Sequence, residues 1–413
     1  MDAATKISGG DVAKKGKIHS GQDQLERPAN KRVAEKAVRL GPLPRYYTIG
    51  KIEKRHSYNA LKNSLSGYIG GNRKAGYWCE RLSAEWSAAF NIRYSIPCNS
   101  ATSGLLAACM AAGIKAGDEV WVSDYTMSAS ATCALILGAK VTLLDVDDHF
   151  CLLWHQAGGS PVPNQWPKAI IVTNLFGCPA DLHYLRKLCD INHIILIEDN
   201  AQAPFATLNG KYTGTIGHIG VFSLNVHKHL QTGEGGVIVT DDPQLAHKID
   251  CAINHGELMG SDPHLGLNLR MTEPIAGIAC AQLQRGHQLV QGRIRLAEEI
   301  TSMFEHIDCI HTPRLRPDSQ HVYYMWAGQI LGSDAGIRRK RFIEAVQARG
   351  VPFREGYSRP LHRILGIGHD SSFPNTVYLE DRSLFTFEIC AYDPKTQHLA
   401  AMRQIIDDES KRL

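Results

Sequence analysis

The sequence lacks the features of a membrane protein, of a secreted disulfide-rich protein and of a zinc protein. None of its apolar runs approaches the roughly 20 residues that a membrane span needs. Residues 1–17 hold no apolar core of the kind that marks a secretory signal. The 11 cysteines are an odd number and include no C-x-x-C pair, so neither a disulfide framework nor a zinc site is indicated. We therefore expect a cytoplasmic protein without a bound metal.

Two phosphate-binding motifs and a basic face are also missing. Neither G-x-G-x-x-G nor G-x-x-x-x-G-K-[ST] occurs, so the sequence supports neither a dinucleotide-binding fold nor a P-loop. The formal net charge is +4, and residues 1–40 account for all of it because they hold nine basic and five acidic residues. A nucleic-acid binder usually carries a basic face within its folded part. Nucleic acid is therefore not an expected partner.

The chain has the length and composition of a two-domain globular protein. It has 413 residues, of which 44% are hydrophobic and 21% are charged. Residues 1–40 are polar and poor in aromatics, which predicts a flexible basic extension; a basic helix around Arg32–Arg39 is an alternative. We predict an N-terminal arm with helices over 41–95, a large domain over 96–300 and a smaller α/β domain over 301–413.

From residue 95 onward, apolar strand patterns alternate with helical patterns. Continuous apolar strands that alternate with helices predict a mainly parallel sheet covered on both faces. In such sheets ligands bind beyond the carboxyl ends of the strands. The predicted strands are 119–124, 140–147, 168–177, 193–200 and the apolar runs on either side of residues 225–236.

Other elements are predicted outside this alternation. Residues 272–304 predict one long helix that bridges to the smaller domain. In that domain we expect a strand in VYYMWAGQIL, a helix in RRKRFIEAVQARG, a loop at SRPLHR and a last helix from about Thr396. The aromatics Tyr77, Trp78, Trp86 and Phe90 recur at near-helical spacing and predict a packing face.

Three strand ends carry polar residues that suit one cofactor. Asn99–Gly104 open a helix with small residues, and a helix N-terminus favours an anion such as a phosphate. Glu198 and Asp199 end a buried strand, where a carboxylate needs a partner such as a protonated ring nitrogen. Lys228 lies in a glycine-rich hairpin and supplies an amine. Taken singly, these features also fit an N-cap, a turn cap and a solvated lysine. Together they match the phosphate, pyridine nitrogen and aldehyde of pyridoxal 5′-phosphate.

At this point the sequence resembles the DegT/DnrJ/EryC1/StrS sugar aminotransferases, which are fold-type-I pyridoxal-phosphate enzymes. The resemblance covers roughly residues 60–400. It implies an α/β fold in which a large domain holds a mainly parallel seven-stranded sheet in an α/β/α sandwich, with a smaller C-terminal α/β domain. The motifs that carry it are NSATSGLLAA, LIEDNAQA, FSLNVHKHLQTGEGG, GLNLRMTEPIAGIACAQL and SRPLH.

The resemblance also implies residue roles and a homodimer with shared active sites. Lys228 would be the catalytic residue, bound to the cofactor as a Schiff base, and Asp199 would pair with the pyridine nitrogen. The other implied cofactor-binding residues are Ala101, Thr102, Ser103 and Ser223 at the phosphate, Gln202 near the ring hydroxyl, Met127 where the family usually has a stacking aromatic, and Asn268 at the phosphate of the neighbouring subunit.

The implied reaction moves an amino group from glutamate or glutamine to a nucleotide-linked keto-sugar, in amino-sugar synthesis for polysaccharides or secondary metabolites. Three alternatives stay open: a pyridoxal-phosphate sugar dehydratase, an aminotransferase for an inosose-type cyclic ketone, and a non-catalytic regulatory homologue. Family members that dehydrate carry His at the lysine position, so Lys228 argues against the first. The candidate substrate residues are Tyr125, His227, Arg270, Arg359 and His362. Of these, Tyr125, Arg270 and His362 also suit a structural role.

Overall fold

The computed structural model describes residues 38–63, 65–66, 76–154, 166–256 and 265–413. Most of the predicted basic extension, and most of the alternative helix around Arg32–Arg39, therefore lie outside the described residues. The predicted domain boundaries at residues 95/96 and 300/301 stay predictions.

Fourteen strands follow one another along the described chain. In order they are β1 (Tyr94–Cys98), β2 (Glu119–Ser123), β3 (Lys140–Leu144), β4 (Ala169–Thr173), β5 (Ile195–Asp199), β6 (Thr207–Leu208), β7 (Lys211–Tyr212), β8 (Ile219–Ser223), β9 (Gly236–Thr240), β10 (Ile310–His311), β11 (Ser319–Gln320), β12 (Trp326–Ile330), β13 (Arg354–Glu355) and β14 (Leu384–Phe387).

The described α-helices lie between and after these strands. They are α1 (Lys51–Asn63), α2 (Tyr77–Phe90), α3 (Ala101–Ala111), α4 (Ala129–Ile136), α5 (Leu182–Ile191), α6 (Pro243–Ile253), α7 (Glu273–Gln284), α8 (Gly286–Thr301), α9 (Ala335–Ala348), α10 (Leu361–Leu365), α11 (Pro374–Tyr378) and α12 (Thr396–Ser410). Among the helices of the described ranges, none is long and apolar enough to cross a membrane.

Seven strands form the central sheet in the order β1-β9-β8-β5-β4-β2-β3. Strands β3, β2, β4, β5 and β8 pair in parallel, whereas β9 is antiparallel to both of its neighbours, β8 and β1. Six strands therefore run in one direction, and their carboxyl ends meet at one edge. This confirms the predicted mainly parallel, seven-stranded sheet.

Both faces of the sheet are buried. Successive side chains of a strand point to opposite faces, so neighbouring residues pack in different clusters. Val221 on β8 and Ile238 on β9 pack in one apolar cluster with α3, α4 and α6. Their chain neighbours Phe222 and Val237 pack in another cluster with α2, α7 and α8. Helices thus cover the two faces, which gives the predicted α/β/α sandwich.

A second sheet forms from the C-terminal part of the chain in the order β10-β12-β14-β13, and all its pairings are antiparallel. Its apolar side chains, including Trp326 and Phe385, pack with Phe342 of α9 and Met402 of α12. The predicted strand, the predicted helix and the last helix from Thr396 are all present. Strand β11 pairs instead with β6, which in turn pairs with β7.

Three predictions about local structure were wrong. The predicted long helix over 272–304 is two helices, α7 and α8, which meet at Arg285. A Cβ on Gly286, the first residue of α8, would lie 2.5 Å from the ring of Phe205, so glycine at this position lets the chain approach that ring closely. The second half of the predicted loop at SRPLHR is helical, because the short helix α10 begins at Leu361. Tyr77 is 62% exposed and does not share the packing face of α2, which Trp78, Trp86 and Phe90 form.

Candidate active site

Two strand ends meet at Gly236, the first residue of β9. Gly236 lies opposite Cys98, the last residue of β1, and opposite Ser223, the last residue of β8. A Cβ at Gly236 would stand only 2.8 Å from the backbone nitrogen of Ala101. Only glycine fits at this position, and the first turn of α3 therefore packs directly against the β8–β9 hairpin.

The N-terminus of α3 is capped by Ser100. The Ser100 hydroxyl oxygen accepts from the Ser103 backbone N–H at 3.1 Å and lies 3.0 Å from the Ser103 hydroxyl. Thr102 is exposed, while Ala101 and Ser103 are half-buried. The positive end of the helix dipole faces this open turn, which is the environment that a phosphate favours. The structure thus confirms the N-cap, and the anion seat stays a prediction.

The two carboxylates that end β5 have different surroundings. Glu198 is fully buried and is a structural cap, since it accepts the side-chain amide of Asn174 and a set of backbone N–H groups from Gly214, Ile216 and Gly217. Asp199 accepts from the hydroxyl of Ser130 at 2.7 Å and from the Ala201 N–H at 3.2 Å. Burial raises the pKa of Asp199, and the nearby Lys228 lowers it. A cationic partner at Asp199 would offset the cost of burying its charge.

The hairpin that carries Lys228 is held by its own backbone and by the N-terminal arm. Leu224 donates to the carbonyl of Gly235 at 2.9 Å, and the Lys228 N–H donates to the carbonyl of Asn225 at 2.9 Å. The Tyr46 hydroxyl, from the arm, donates to the backbone carbonyl of His229 at 3.1 Å. The hairpin therefore fixes Lys228 at the carboxyl edge of the sheet.

The amine of Lys228 lies over the ring of Tyr324, with 4.1 Å between the Nζ and the ring centroid. The residue as a whole is half-buried. Burial lowers the pKa of Lys228 to about 8, while Asp199 and, more weakly, Cys390 oppose that shift. A lysine with this pKa is neutral in a useful fraction of molecules near neutral pH and can act as a nucleophile or a base.

Gln202 links the central sheet to the second sheet. Its side-chain oxygen accepts from the Phe176 N–H at 2.7 Å, and its amide nitrogen donates to the Tyr357 hydroxyl at 2.9 Å. Tyr357 follows β13, so the bond ties the C-terminal part of the chain to the end of β5. Gln202 is buried beside Asp199, close to the place predicted for the cofactor ring.

The other candidate residues fall into two groups. Tyr125 is fully buried and donates to Glu380 at 2.6 Å; His362 is buried, with its Nδ1 2.7 Å from Asp124. Both have structural partners. The remaining candidates lie toward the surface. Met127, which follows β2, is 54% exposed, and His227, Asn268 and Arg359 are exposed. Arg270 is half-buried and forms an isolated antiparallel β-bridge with Cys98. Their predicted roles stay predictions.

Sequence reasoning missed three residues that touch this site: Ser130 at Asp199, Tyr357 at Gln202 and Tyr324 at Lys228. Ser130 lies in the first turn of α4, just beyond the carboxyl end of β2, and the rule that such residues face the ligand edge was a usable signal. Tyr324 and Tyr357 come from the C-terminal part of the chain. Since these two tyrosines contact residues that are distant in the chain, no local sequence pattern predicts their place in the site.

The geometry defines the class of protein: a fold-type-I enzyme that uses pyridoxal 5′-phosphate. The chain belongs to the DegT/DnrJ/EryC1/StrS aminotransferase family, whose profile matches residues 61–376. It is thus an aminotransferase, and its cofactor is pyridoxal 5′-phosphate.

Named relatives and a solved structure agree with this assignment. The chain is 31% identical over 307 residues to the UDP-N-acetyl-3-dehydro-alpha-D-glucosamine 3-aminotransferase of Acidithiobacillus ferrooxidans, which covers 73% of this chain and 81% of that protein. It is 31% identical over 294 residues to the GDP-perosamine synthase of Caulobacter vibrioides, which covers 68% and 77%. The aminotransferase structure from Psychrobacter cryohalolentis has a TM-score of 0.78 at 26% identity and covers 89% of this chain and 98% of that one.

The residues present fit the cofactor. A buried Asp199 with a raised pKa suits a cationic ring nitrogen, a capped helix N-terminus suits a phosphate, and a lysine with a pKa of about 8 suits an aldehyde. All three lie at the carboxyl edge of one sheet, so a single small molecule can reach them together.

Proposed function

We propose that this chain transfers the amino group of glutamate or glutamine to a keto-sugar carried on a nucleotide, in the synthesis of an amino sugar. Two relatives at 31% identity are named for amino transfer to, or synthesis of, a nucleotide-linked amino sugar. The observation that carries the proposal is the buried amine of Lys228, with its lowered pKa, beside the buried carboxylate of Asp199.

We assign the cofactor-binding roles as follows. The seat at the start of α3, with Ser223 at the end of β8, would hold the phosphate; Asp199 would hold the protonated ring nitrogen, and Gln202 would lie at the ring hydroxyl. Met127, a thioether next to the site, would pack on the ring. The residues of the phosphate seat are Ala101, Thr102, Ser103 and Ser223.

When bound, the cofactor supplies an electron sink for the carbon that gains or loses the amino group. The chain supplies the proton transfers. With its lowered pKa, the amine of Lys228 can take a proton from the reacting carbon and return it at neutral pH. Ser130 donates to Asp199 and fixes its orientation, and the negative charge of Asp199 would favour the protonated form of a ring nitrogen held there.

A homodimer with shared active sites completes this proposal. Asn268 is exposed and lies on the segment that bridges to Asn254, so it is available to a neighbouring subunit. In the proposed dimer it would reach the phosphate of the partner's cofactor. We place the enzyme in the cytoplasm, since all 11 cysteines are free thiols, as a reducing compartment would keep them.

The test compares the Lys228→Ala variant with the wild type on a panel of nucleotide keto-sugars, each supplied with an amino donor. We expect the wild type to form an amino sugar, seen by mass spectrometry, and the variant to lose at least about 1,000-fold in rate because it lacks the base and nucleophile. Lys248→Ala, a change of an exposed lysine on α6, is the matched control.

Two outcomes would contradict the proposal. Full transamination by Lys228→Ala would remove Lys228 from the mechanism. A deoxy-sugar product formed by the wild type without any amino donor would instead support the dehydratase alternative.

A further inference from the structure

A cavity of about 330 Å³ opens beside Lys228. Its lining includes Tyr324, whose ring lies under the Lys228 amine, so the cavity adjoins the reacting group. The described residues that line it are His227, Tyr324, Arg354, Glu388, Cys390 and Ala391. Its volume suits a small amino acid, in a place where the α-amino group would lie close to the lysine.

One ion pair in this lining, Arg354 with Glu388, is partly exposed, and in the described part of the chain neither partner forms an ion pair with a buried charge. The Nη1 of Arg354 donates to Glu388 at 2.7 Å, and the two side chains are 60% and 33% exposed. Partly exposed pairs of this kind contribute little to stability. By contrast, Glu355, the neighbour of Arg354, pairs with the buried Arg339 and so has a structural role.

The backbone holds this pair against the site. Arg354 is on β13, paired with Thr386 of β14, and Glu388 directly follows β14. Three residues after Arg354, the Tyr357 hydroxyl accepts from Gln202 at 2.9 Å. The same short stretch of chain therefore contacts both the predicted ring site and the cavity.

We propose that this cavity binds the side-chain carboxamide of glutamine, which makes glutamine the preferred amino donor; the inference rests on the proposed function. Arg354 donates to the amide oxygen and Glu388 accepts from the amide NH₂. A guanidinium has five N–H donors, so its one bond to Glu388 leaves donors for the ligand. The carboxylate of glutamate can also accept from Arg354, but it has no N–H to donate to Glu388 and would meet that residue's carboxylate, where like charges at close range repel.

The reaction balances without touching the carboxamide. Glutamine gives up its α-amino group and becomes the 2-oxo acid amide, and the keto carbon of the acceptor gains that amino group. The C–N bond that breaks is the α-carbon bond of glutamine. The amide C–N bond, held by Arg354 and Glu388, stays intact.

The first measurement is the rate of the half-reaction of the holoenzyme with each donor. The loss of the enzyme's visible absorption monitors this reaction. We expect glutamine to react at least about 10-fold faster than glutamate at low concentration, the size that one like-charge contact near the surface allows. Glu388→Gln should bring the two rates within about 2-fold by raising the glutamate rate, since the repelling charge is gone. Asp148→Asn, which removes the acid of the exposed pair with Arg314, is the matched control and should leave the ratio unchanged.

The second measurement needs no turnover. Thermal shift of the holoenzyme is followed with glutarate and with its monoamide, neither of which has an amino group to transfer. The monoamide should stabilise the wild type more than glutarate does, and Glu388→Gln should remove that difference.

Equal rates for the two donors in the wild type, or an unchanged ratio in Glu388→Gln, would overturn the inference. So would equal stabilisation by glutarate and its monoamide. If both preferences are found while no keto-sugar is aminated, the proposed acceptor is wrong and the donor site stands. If keto-sugars are aminated with equal preference for both donors, the acceptor stands and the donor site is wrong.

Discussion

Lys228 lies between two opposing influences on the charge of its amine. Burial lowers its pKa to about 8, whereas the carboxylate of Asp199 raises it. The balance leaves the amine neutral in about a tenth of molecules at pH 7, roughly 300-fold more than an ordinary lysine would show. The same pair of residues thus sets both the reactivity of the amine and the charge available to a ring nitrogen.

This balance predicts the pH dependence of Lys228 labelling in the enzyme without cofactor. Only the neutral amine reacts with acetic anhydride, so labelling of Lys228 should rise with pH and reach half its maximum near pH 8. In Asp199→Asn the opposing charge is lost, the pKa of Lys228 falls further, and the midpoint should move below 8. Peptide mass spectrometry measures both, with the exposed Lys248 as internal reference.

Ser130→Ala is the control, because it removes a hydrogen bond to Asp199 but keeps the carboxylate charge; its midpoint should stay near that of the wild type. A midpoint above 9 in the wild type, or an upward shift in Asp199→Asn, would contradict the electrostatic account.

At the scale of elements, the β8–β9 hairpin and the first turn of α3 form one unit. Gly236 joins them, since it pairs with Ser223 and with Cys98 while its backbone contacts Ala101. The hairpin that carries the lysine is therefore packed directly against the proposed seat for the phosphate.

Gly236→Ala should weaken binding of the phosphate. Its Cβ would lie 2.8 Å from the Ala101 nitrogen, so the first turn of α3 must shift. We expect affinity for pyridoxal phosphate to fall about 10-fold or more, a loss of roughly 1.4 kcal/mol, while affinity for unphosphorylated pyridoxal changes little. Equilibrium dialysis measures both affinities. Gly41→Ala, where a Cβ meets no atom within 4 Å, is the control.

An equal loss of affinity for pyridoxal and for its phosphate would instead show a general disturbance of the site. Far-UV circular dichroism of the variant checks that the sheet persists.

Much of this level of structure was readable from the sequence, for physical reasons. Strands such as β4 and β5 are unbroken apolar runs because helices cover both faces, and the rule that ligands lie at their carboxyl ends located Asp199. The glycines around residues 233–236 gave the hairpin. The hairpin implies that β9 runs antiparallel to β8, but the pairing of β9 with β1 could not be read from the sequence because the two strands lie far apart in the chain.

The substrate side was less readable. Tyr125 and His362 were candidates because they follow a strand end and lie in a family motif, yet both are buried with acidic partners, Glu380 and Asp124. Arg354 and Glu388 were not predicted as site residues, because two charged residues in distant segments form no local sequence pattern. Only the pairing of β13 with β14 brings them together.

At the scale of the whole molecule, the proposed dimer makes a prediction that separates the two subunits. Lys228→Ala disables a site from within its own chain, whereas Asn268→Ala should weaken the partner's site. A mixed dimer of the two variants then has one site with both defects and one with neither. The two variants are unfolded, mixed in equal amounts and refolded together. Random pairing makes about half of the dimers mixed, so the mixture should regain about a quarter of wild-type activity.

Refolding each variant alone provides the control. Activity in the mixture that does not exceed the average of the two separately refolded variants would show that Asn268 serves its own chain, or that the sites are not shared.

The pairing of β1 with β9 has a consequence for how the enzyme is made. These strands are far apart in the chain, so their contact closes a long loop, and the entropy cost of closing such a loop slows folding. The phosphate seat follows β1 and the lysine hairpin precedes β9, so the chain offers a complete binding site only once it is nearly native. A cofactor that binds the native state and not the unfolded chain shifts the folding equilibrium by mass action. We therefore expect the supply of vitamin B6 in the cell to set the amount of folded enzyme as well as its activity.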